Sequence, residues 1–339
     1  MLLVYGSTGY TGQLIVDELV RRGASAILAG RSASKLALQA AATGFPTRVF
    51  PVETPDLSGV SVVLHCAGPF IVTARPMVDA CLAAGVHYLD ITGEVPVFEA
   101  IAARDGEAKA RGVMLLPGAG YDVVPSDCLA SHVAARVPGA TELTLAMCTR
   151  GGLSHGTATT MLTHMQSGGA VRLGGKIVPV PVAYRRMTVD FGDKQRTVTT
   201  IPWGDVSTAF YSTGIPDISV YARVPGDGMP AWVSRMSSAL LGWGPIKAFA
   251  QGRVDAAPPG PDAAARAAGW ARLWAQAKAP DGRSATSRLL CPEGYTVTAA
   301  TAVDLSLRAL AGARAGFQTP SRWQGADYIL GFGATREDL

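Results

Sequence analysis

The chain opens MLLVYGSTGYTG, residues 1–12, a short apolar run that ends in three glycines at every third position, Gly6, Gly9 and Gly12. The run is continuous and closed by a glycine turn, the pattern of a strand buried on both faces. Residues 11–22 carry helical spacing, so the glycines stand between a strand and a helix. At that place they have a defined use: glycine lets the backbone turn sharply and approach a pyrophosphate, and the helix N-terminus offers N–H groups and partial positive charge. Gly6, Ser7, Thr8, Gly9, Tyr10, Thr11 and Gly12 are therefore the expected pyrophosphate loop of a dinucleotide site.

Outward from this loop, short apolar runs alternate with helical patterns. Strands are expected at 26–29, 60–66, 87–90 and 113–116, and helices at 32–42, 76–84 and 96–111, with another opening at Pro125, Ser126 and Asp127. This is an α/β fold, a Rossmann-type doubly wound parallel sheet. Sites that prefer NAD carry an acid about 20 residues after the loop, at the end of the second strand. Here that strand ends Leu28, Ala29, Gly30, Arg31, Ser32, without an acid. Arg31, with Ser32 and Lys35, suits the 2′-phosphate of NADP(H); the plainer reading of Arg31 is a solvated loop arginine. Cys66, Ala67, Gly68 and Pro69 end the fourth strand, at the carboxyl edge where open α/β sheets bind ligands.

The length, 339 residues, accommodates two domains. From residue 141 the texture turns to alternating runs at 142–149, 176–182, 194–201 and 219–224, which predict a second, β-rich mixed α/β domain. Residues 271–291 read as a hairpin turning at Pro280, Asp281 and Gly282, and 296–311 as a helix. The expected division is 1–135 for the cofactor domain, 136–309 for the substrate or capping domain, and 310–339 for a C-terminal segment. Hydrophobic residues at 48% and charged residues at 17% exclude a disordered chain. No apolar run approaches the ~18 residues of a membrane span. A formal charge of +4, spread along the chain, argues against nucleic acid. Five cysteines, with no C-x-x-C pair, read as reduced thiols and not as metal ligands, and no leader is visible, so the expected location is the cytoplasm and the expected metal none.

Two further loops fall on the carboxyl edge. Thr92, Gly93 and Glu94 follow the fifth strand; Tyr121 and Asp122 follow the sixth. Hydride transfer needs orientation, exclusion of water and a proton source, and Tyr121 is a candidate donor that Asp122 or Glu94 would orient. Asp122 as a turn cap and Glu94 as a cap of the next helix are the competing structural readings. His155, in the glycine-rich stretch 151–156, is a second candidate acid or base. His65, in the apolar fourth strand, reads as a core histidine, and His164 as structural. Residues 230–249 carry two tryptophans on one helical stripe, which suits core packing, an acyl tunnel, a homodimer interface or peripheral contact with a membrane surface.

The segments GSTGYTG (6–12), LAGRSASKL (28–36), AGPF (67–70), YLDITGE (88–94) and GYDVVPSD (120–127) together resemble the saccharopine dehydrogenase-like oxidoreductases, with fainter echoes in RGGLSHGT (150–157) and TPSRWQGADYIL (319–330). The resemblance implies an NADP-binding Rossmann domain capped by a mixed α/β domain, with the C-terminal segment folding back onto the first. It also implies one of two chemistries: reduction of C=N, as in saccharopine reductases, or of an activated C=C in hydrophobic acyl or polyketide-like substrates, as in trans-acting enoyl reductases. The short second domain and the GYTG loop favour the enoyl branch. Tyr121 where the family has Phe, and His155 where a small residue is expected, are departures. The C=N reading requires a carboxylate-binding arginine, for which Arg150, Arg172 and Arg185 are available; Arg150 is the expected substrate contact beside Tyr121 and Asp122. A non-catalytic dinucleotide-binding scaffold is the reading from another class.

Overall fold

The computed structural model describes residues 1–152, 154–156, 168–223, 252–253, 256 and 258–339. His164 and the stripe at 230–249 lie outside the described residues. The chain divides into two compact units: residues 1–124 with 295–323, and residues 125–294 with 324–339.

The first unit begins with β1 (Leu2–Tyr5), α1 (Tyr10–Arg21), β2 (Ile27–Gly30), α2 (Ala33–Thr43), β3 (Thr47–Val49) and β4 (Val62–His65). It continues with α3 (Phe70–Ala84), β5 (His87–Asp90), α4 (Val95–Ala102), α5 (Asp105–Ala110) and β6 (Met114–Leu116). Residues of β1, β4 and β6 are buried throughout, as strands covered on both faces must be. The sheet is parallel, in the order β3-β2-β1-β4-β5-β6, and the order reverses between β1 and β4. That reversal opens the crevice in which such sheets bind ligands.

The second unit starts with α6 (Val124–Arg136) and β7 (Glu142–Arg150). Next come β8 (Gly169–Leu173), β9 (Lys176–Val180), β10 (Arg186–Asp190), β11 (Gln195–Thr200), α7 (Asp205–Thr213) and β12 (Asp217–Ala222). The short α8 (Ala263–Ala267) leads into the hairpin of β13 (Trp270–Lys278) and β14 (Ser284–Pro292). Along β13 burial alternates strictly, with Ala271, Leu273, Ala275 and Ala277 inward, the habit of a mixed sheet with unlike faces. Among the described residues the order is β10-β11-β12-β7-β13-β14-β16, where β16 is Thr335–Asp338.

Three features differ from the sequence expectation. Helix α3 starts at Phe70 and runs through Pro76 instead of beginning there. The helix expected across 96–111 is two, α4 and α5. Helix α9 (Gly294–Ala311) belongs with the first unit, although its sequence position assigned it to the second domain. Arg22, the residue that closes α1, explains part of this allegiance: its guanidinium pairs with Asp304 at 3.2 Å and donates to the Ala300 carbonyl. The C-terminal segment is shared out. β15 (Gly316–Phe317) joins the parallel sheet beside β6, the short α10 (Pro320–Gln324) follows, and β16 pairs with β14 in the second unit.

Candidate functional site

At the crevice the loop after β1 is built as tightly as its glycines allow. Gly6 adopts a φ of +82°, and a Cβ there would lie 2.8 Å from the Ala67 Cβ in the loop after β4. A Cβ on Gly12 would fall 2.3 Å from the Gly6 carbonyl oxygen, so only glycine lets α1 begin against this turn. Among the described residues no side chain caps α1, and its first turn holds no acid, which leaves the positive end of the helix to suit an anion. Ser7 is fully buried; its hydroxyl donates to Oε1 of Gln39 at 2.7 Å, while Nε2 of Gln39 donates to the Ser7 carbonyl at 2.9 Å. Gln39 thus fixes the loop from α2, a role that sequence reasoning missed. Its place three residues after Leu36, on the same face of that helix, was the available signal.

Arg31 and Lys35 are exposed at the end of β2 and in the first turn of α2, and among the described residues neither has an ion pair. Ser32 is the N-cap of α2, its hydroxyl accepting from the Lys35 N–H at 3.4 Å, so its first duty is structural. The cradle closed by Gly6 and Gly12, the uncapped helix and the cations after an acid-free β2 fit the pyrophosphate and 2′-phosphate of NADP.

The loop from Cys66 to Pro69 leads into α3, with a cis bond between Gly68 and Pro69. The Cys66 thiol is half-buried and its pKa is pushed up by burial, so it is a packing group and no nucleophile. Thr73 in the first turn of α3 donates its hydroxyl to the Ala67 carbonyl at 2.6 Å, which ties the loop back onto the helix.

Glu94 departs most from its expected role. Its Oε1 accepts from the N–H of Phe70 and its Oε2 from the N–H of Ile71, both at 2.9 Å. Both carboxylate oxygens therefore serve the N-terminus of α3, and Glu94 gives no side-chain cap to α4, which it directly precedes. A carboxylate at that position satisfies two orphan donors and faces the positive end of the helix, which is why α3 begins at Phe70. Among the described residues this is a structural clamp, not a free acid or base.

Asp90 ends β5 with no exposed surface. Its Oδ1 accepts from the N–H of Thr92 at 3.0 Å and of Gly118 at 2.9 Å, binding the loops after β5 and β6 to one oxygen. Thr92, also buried, returns its hydroxyl to the Glu94 N–H at 3.1 Å. A Cβ on Gly93 would lie 2.9 Å from Oδ2 of Asp122, so the glycine makes room for that carboxylate. Asp122 is partly buried, and desolvation raises its pKa to about 6. Of the expected chemical residues it is the one whose environment resembles that of a proton-exchanging group.

Helix α9 holds this second loop. Thr298 accepts from the Tyr121 N–H at 2.9 Å, and Thr301, one turn on, donates to the Ala119 carbonyl at 2.8 Å. At the start of the same helix the Tyr295 ring meets the Tyr10 ring edge-on, with centroids 5.0 Å apart. One helix thus touches both the glycine loop and the 118–122 loop. Sequence reasoning had the helix but not its target; the polar pair Thr298 and Thr301 on one face was the clue.

The first unit therefore gathers the glycine loop, Arg31, Ser32, Lys35, residues 66–69, Thr92, Gly93, Glu94, Tyr121 and Asp122. Arg150 and His155 belong to the second unit. Arg150 is exposed at the end of β7, and the His155 N–H donates to the Pro259 carbonyl at 3.1 Å. Arg172 in that unit is buried, donating to the carbonyls of Val206 at 2.8 Å and Gly175 at 2.7 Å, with its guanidinium over the Phe210 ring.

Residues 2–116 match the family model described as saccharopine dehydrogenase NADP binding domain. A Mycobacterium tuberculosis relative, whose name marks it as a provisionally assigned trans-acting enoyl reductase, is 36% identical over 181 residues, covering 48% of this chain and 43% of the relative. The human saccharopine dehydrogenase-like oxidoreductase is 30% identical over 151 residues, covering 37% of this chain and 35% of its own length. The matched region thus spans less than half the length of the curated relatives. Among solved structures, apo saccharopine dehydrogenase (L-Glu forming) from Saccharomyces cerevisiae superposes with a TM-score of 0.65 at 12% identity, covering 100% of this chain and 99% of that one, a likeness of fold alone. Residues 2–116, the heart of the first unit, are thus similar to the NADP binding domain of saccharopine dehydrogenases.

Proposed function

We propose that the chain is an NADPH-dependent oxidoreductase that reduces an activated C=C bond in a hydrophobic acyl or polyketide-like substrate. When bound, NADPH supplies the hydride. The chain's own residues do the rest. The glycine loop and the α1 N-terminus hold the pyrophosphate, and Arg31 with Lys35 holds the 2′-phosphate. Asp90 and α9 set the 91–94 and 118–122 loops, where Asp122 holds a proton in exchange with solvent. Conjugate reduction places negative charge beside the activating carbonyl, and a carboxyl group with a raised pKa is suited to quench it. Tyr121, adjacent in the same loop, orients the substrate.

The observation that carries this reading is the match to the enoyl reductase-named relative, whose 181 aligned residues are more than the NADP-binding domain contains. The C=N alternative requires a guanidinium open to a carboxylate; Arg172 is committed to two backbone carbonyls, which leaves the exposed Arg150 and Arg185 as its candidates. Among the described residues no helix is long and apolar enough to cross a membrane. We place the protein in the cytoplasm, with a small-molecule substrate, and assign a homodimer or a peripheral membrane contact no role in the chemistry. The test follows NADPH absorbance with a panel of α,β-unsaturated thioesters, imines and 2-oxo acids. Turnover of thioesters alone is expected. Turnover confined to imines would overturn the assignment, and NADPH binding without turnover of any member would favour a scaffold.

A further inference from the structure

Beneath the two loops lies a buried chain of titratable groups that the proposed chemistry does not use. The Tyr88 hydroxyl lies 2.8 Å from Oδ2 of Asp90 and donates to it, and Nδ1 of His65 lies 3.3 Å from the same hydroxyl. All three residues have no exposed surface. A tyrosine hydroxyl has a single hydrogen, and an ionised carboxylate only accepts. While Asp90 is charged, the Tyr88 hydrogen points to Asp90, and the 3.3 Å contact is a hydrogen bond only when His65 carries its hydrogen on Nδ1. The imidazole is enclosed by the rings of Tyr5, Phe70 and Tyr88 and lies beside the Ala67 backbone, which favours its protonated form.

We propose that His65, Tyr88 and Asp90 form a proton wire whose hydrogen-bond direction reverses when Asp90 gains a proton, and that Asp90 passes this change to the loops after β5 and β6. Uptake of one solvent proton at Nε2 of His65 moves the Nδ1 hydrogen to the Tyr88 oxygen and the Tyr88 hydrogen to Oδ2 of Asp90. The chain gains one proton in total, and each of its three members ends uncharged. Oδ1 of Asp90 then holds the N–H groups of Thr92 and Gly118 as a neutral acceptor, which is roughly half as strong as a charged one. Burial supports the assignment of the titrating member: it pushes Asp90 up to about 6 and His65 down to about 3, so His65 stays neutral while Asp90 titrates. The other groups facing the chain are Glu94, whose charge raises Asp90, and Tyr5 and the thiols of Cys66 and Cys81, whose own pKa values burial pushes up. That these loops are the reacting end of the site is taken from the proposed function; the wire itself is not.

The experiment therefore needs no substrate. The full chain is labelled uniformly with 15N, and the histidine ring nitrogens and backbone amides are followed from roughly pH 5 to 8, the window in which Asp90 titrates. The expected result is an Nδ1–H tautomer of His65 at the high end and Nε2–H at the low end, with the midpoint near 6. Asp90→Asn, whose amide donates to Tyr88, should show Nε2–H at both ends. Tyr88→Phe should show one tautomer throughout. Amide signals of Thr92 and Gly118 should shift with the wild-type midpoint. A wild-type His65 that keeps one tautomer, or becomes imidazolium near pH 6, would overturn the wire. A tautomer change without movement of those amides would overturn the coupling. Failure of the reductase reading alone would leave all these signals unchanged.

Discussion

Glu94 was a candidate for the chemistry, and its geometry predicts something different. Glu94→Ala removes two charge-assisted hydrogen bonds, to the N–H groups of Phe70 and Ile71. Such bonds contribute about 1.5–3 kcal/mol each, and the favourable placement of a charge at a helix N-terminus is partly contained in that figure. Glu94 is only 4% exposed, so water replaces the lost acceptors poorly, and a total loss of about 3–5 kcal/mol is expected. Glu94→Gln keeps one acceptor and turns an NH2 group toward the other N–H, so it should lose about 2–3 kcal/mol. The assay is urea denaturation followed by tryptophan fluorescence, together with the pH profile of NADPH turnover at a temperature where both variants remain folded. Reduced midpoints with an unchanged profile shape are expected. Unchanged midpoints with turnover lowered about a thousandfold would refute the clamp and return Glu94 to the chemistry.

Gly12→Ala sets a Cβ against the Gly6 carbonyl and the Ser7 backbone, so α1 must shift; NADPH affinity by calorimetry should fall at least about tenfold, with about 1–3 kcal/mol of stability lost. Arg31→Ala should weaken NADPH by about 10–100-fold and NADH by much less, and equal losses would remove Arg31 from the 2′-phosphate. Asp122 has a native pKa of about 6 against an ordinary 3.8, so the native state binds more protons between these values. Its contribution to stability is therefore complete below the ordinary value and is lost as pH rises to the native one, by at most about 3 kcal/mol, less for its partial exposure. Asp122→Asn should be more stable than wild type at pH 8, similar near pH 3, and slower in turnover; lower stability at pH 8 would contradict the desolvated carboxylate.

What was legible in the sequence was what local geometry decides. The glycine loop needs three particular residues in a particular place, and the β13–β14 hairpin turns on Pro280, Asp281 and Gly282, so both could be read without a third dimension. Features decided by distant partners were not legible. Helix α3 starts at Phe70 because of a carboxylate 24 residues away, whereas local rules favour a start at Pro76. The allegiance of α9 depends on Arg22, Tyr121 and Ala119, up to 282 residues distant. Strand β3, three residues without a buried side chain, carries no periodic signal at all. Within the candidate site the sequence indicates the loops but not which side chains tie them, such as Glu94 on the N–H groups of Phe70 and Ile71 and Gln39 on Ser7.

The proposed reaction is tested most directly by following the hydride itself. NADPH carrying deuterium at the transferable position of the nicotinamide is incubated with the full chain and an α,β-unsaturated acyl thioester, and the product is examined by mass spectrometry and NMR. The expected product carries one deuterium on the β-carbon and one solvent-derived proton on the α-carbon, formed more slowly by Asp122→Asn. Deuterium delivered to the carbon of an imine, with the thioester returned unlabelled, would contradict the account.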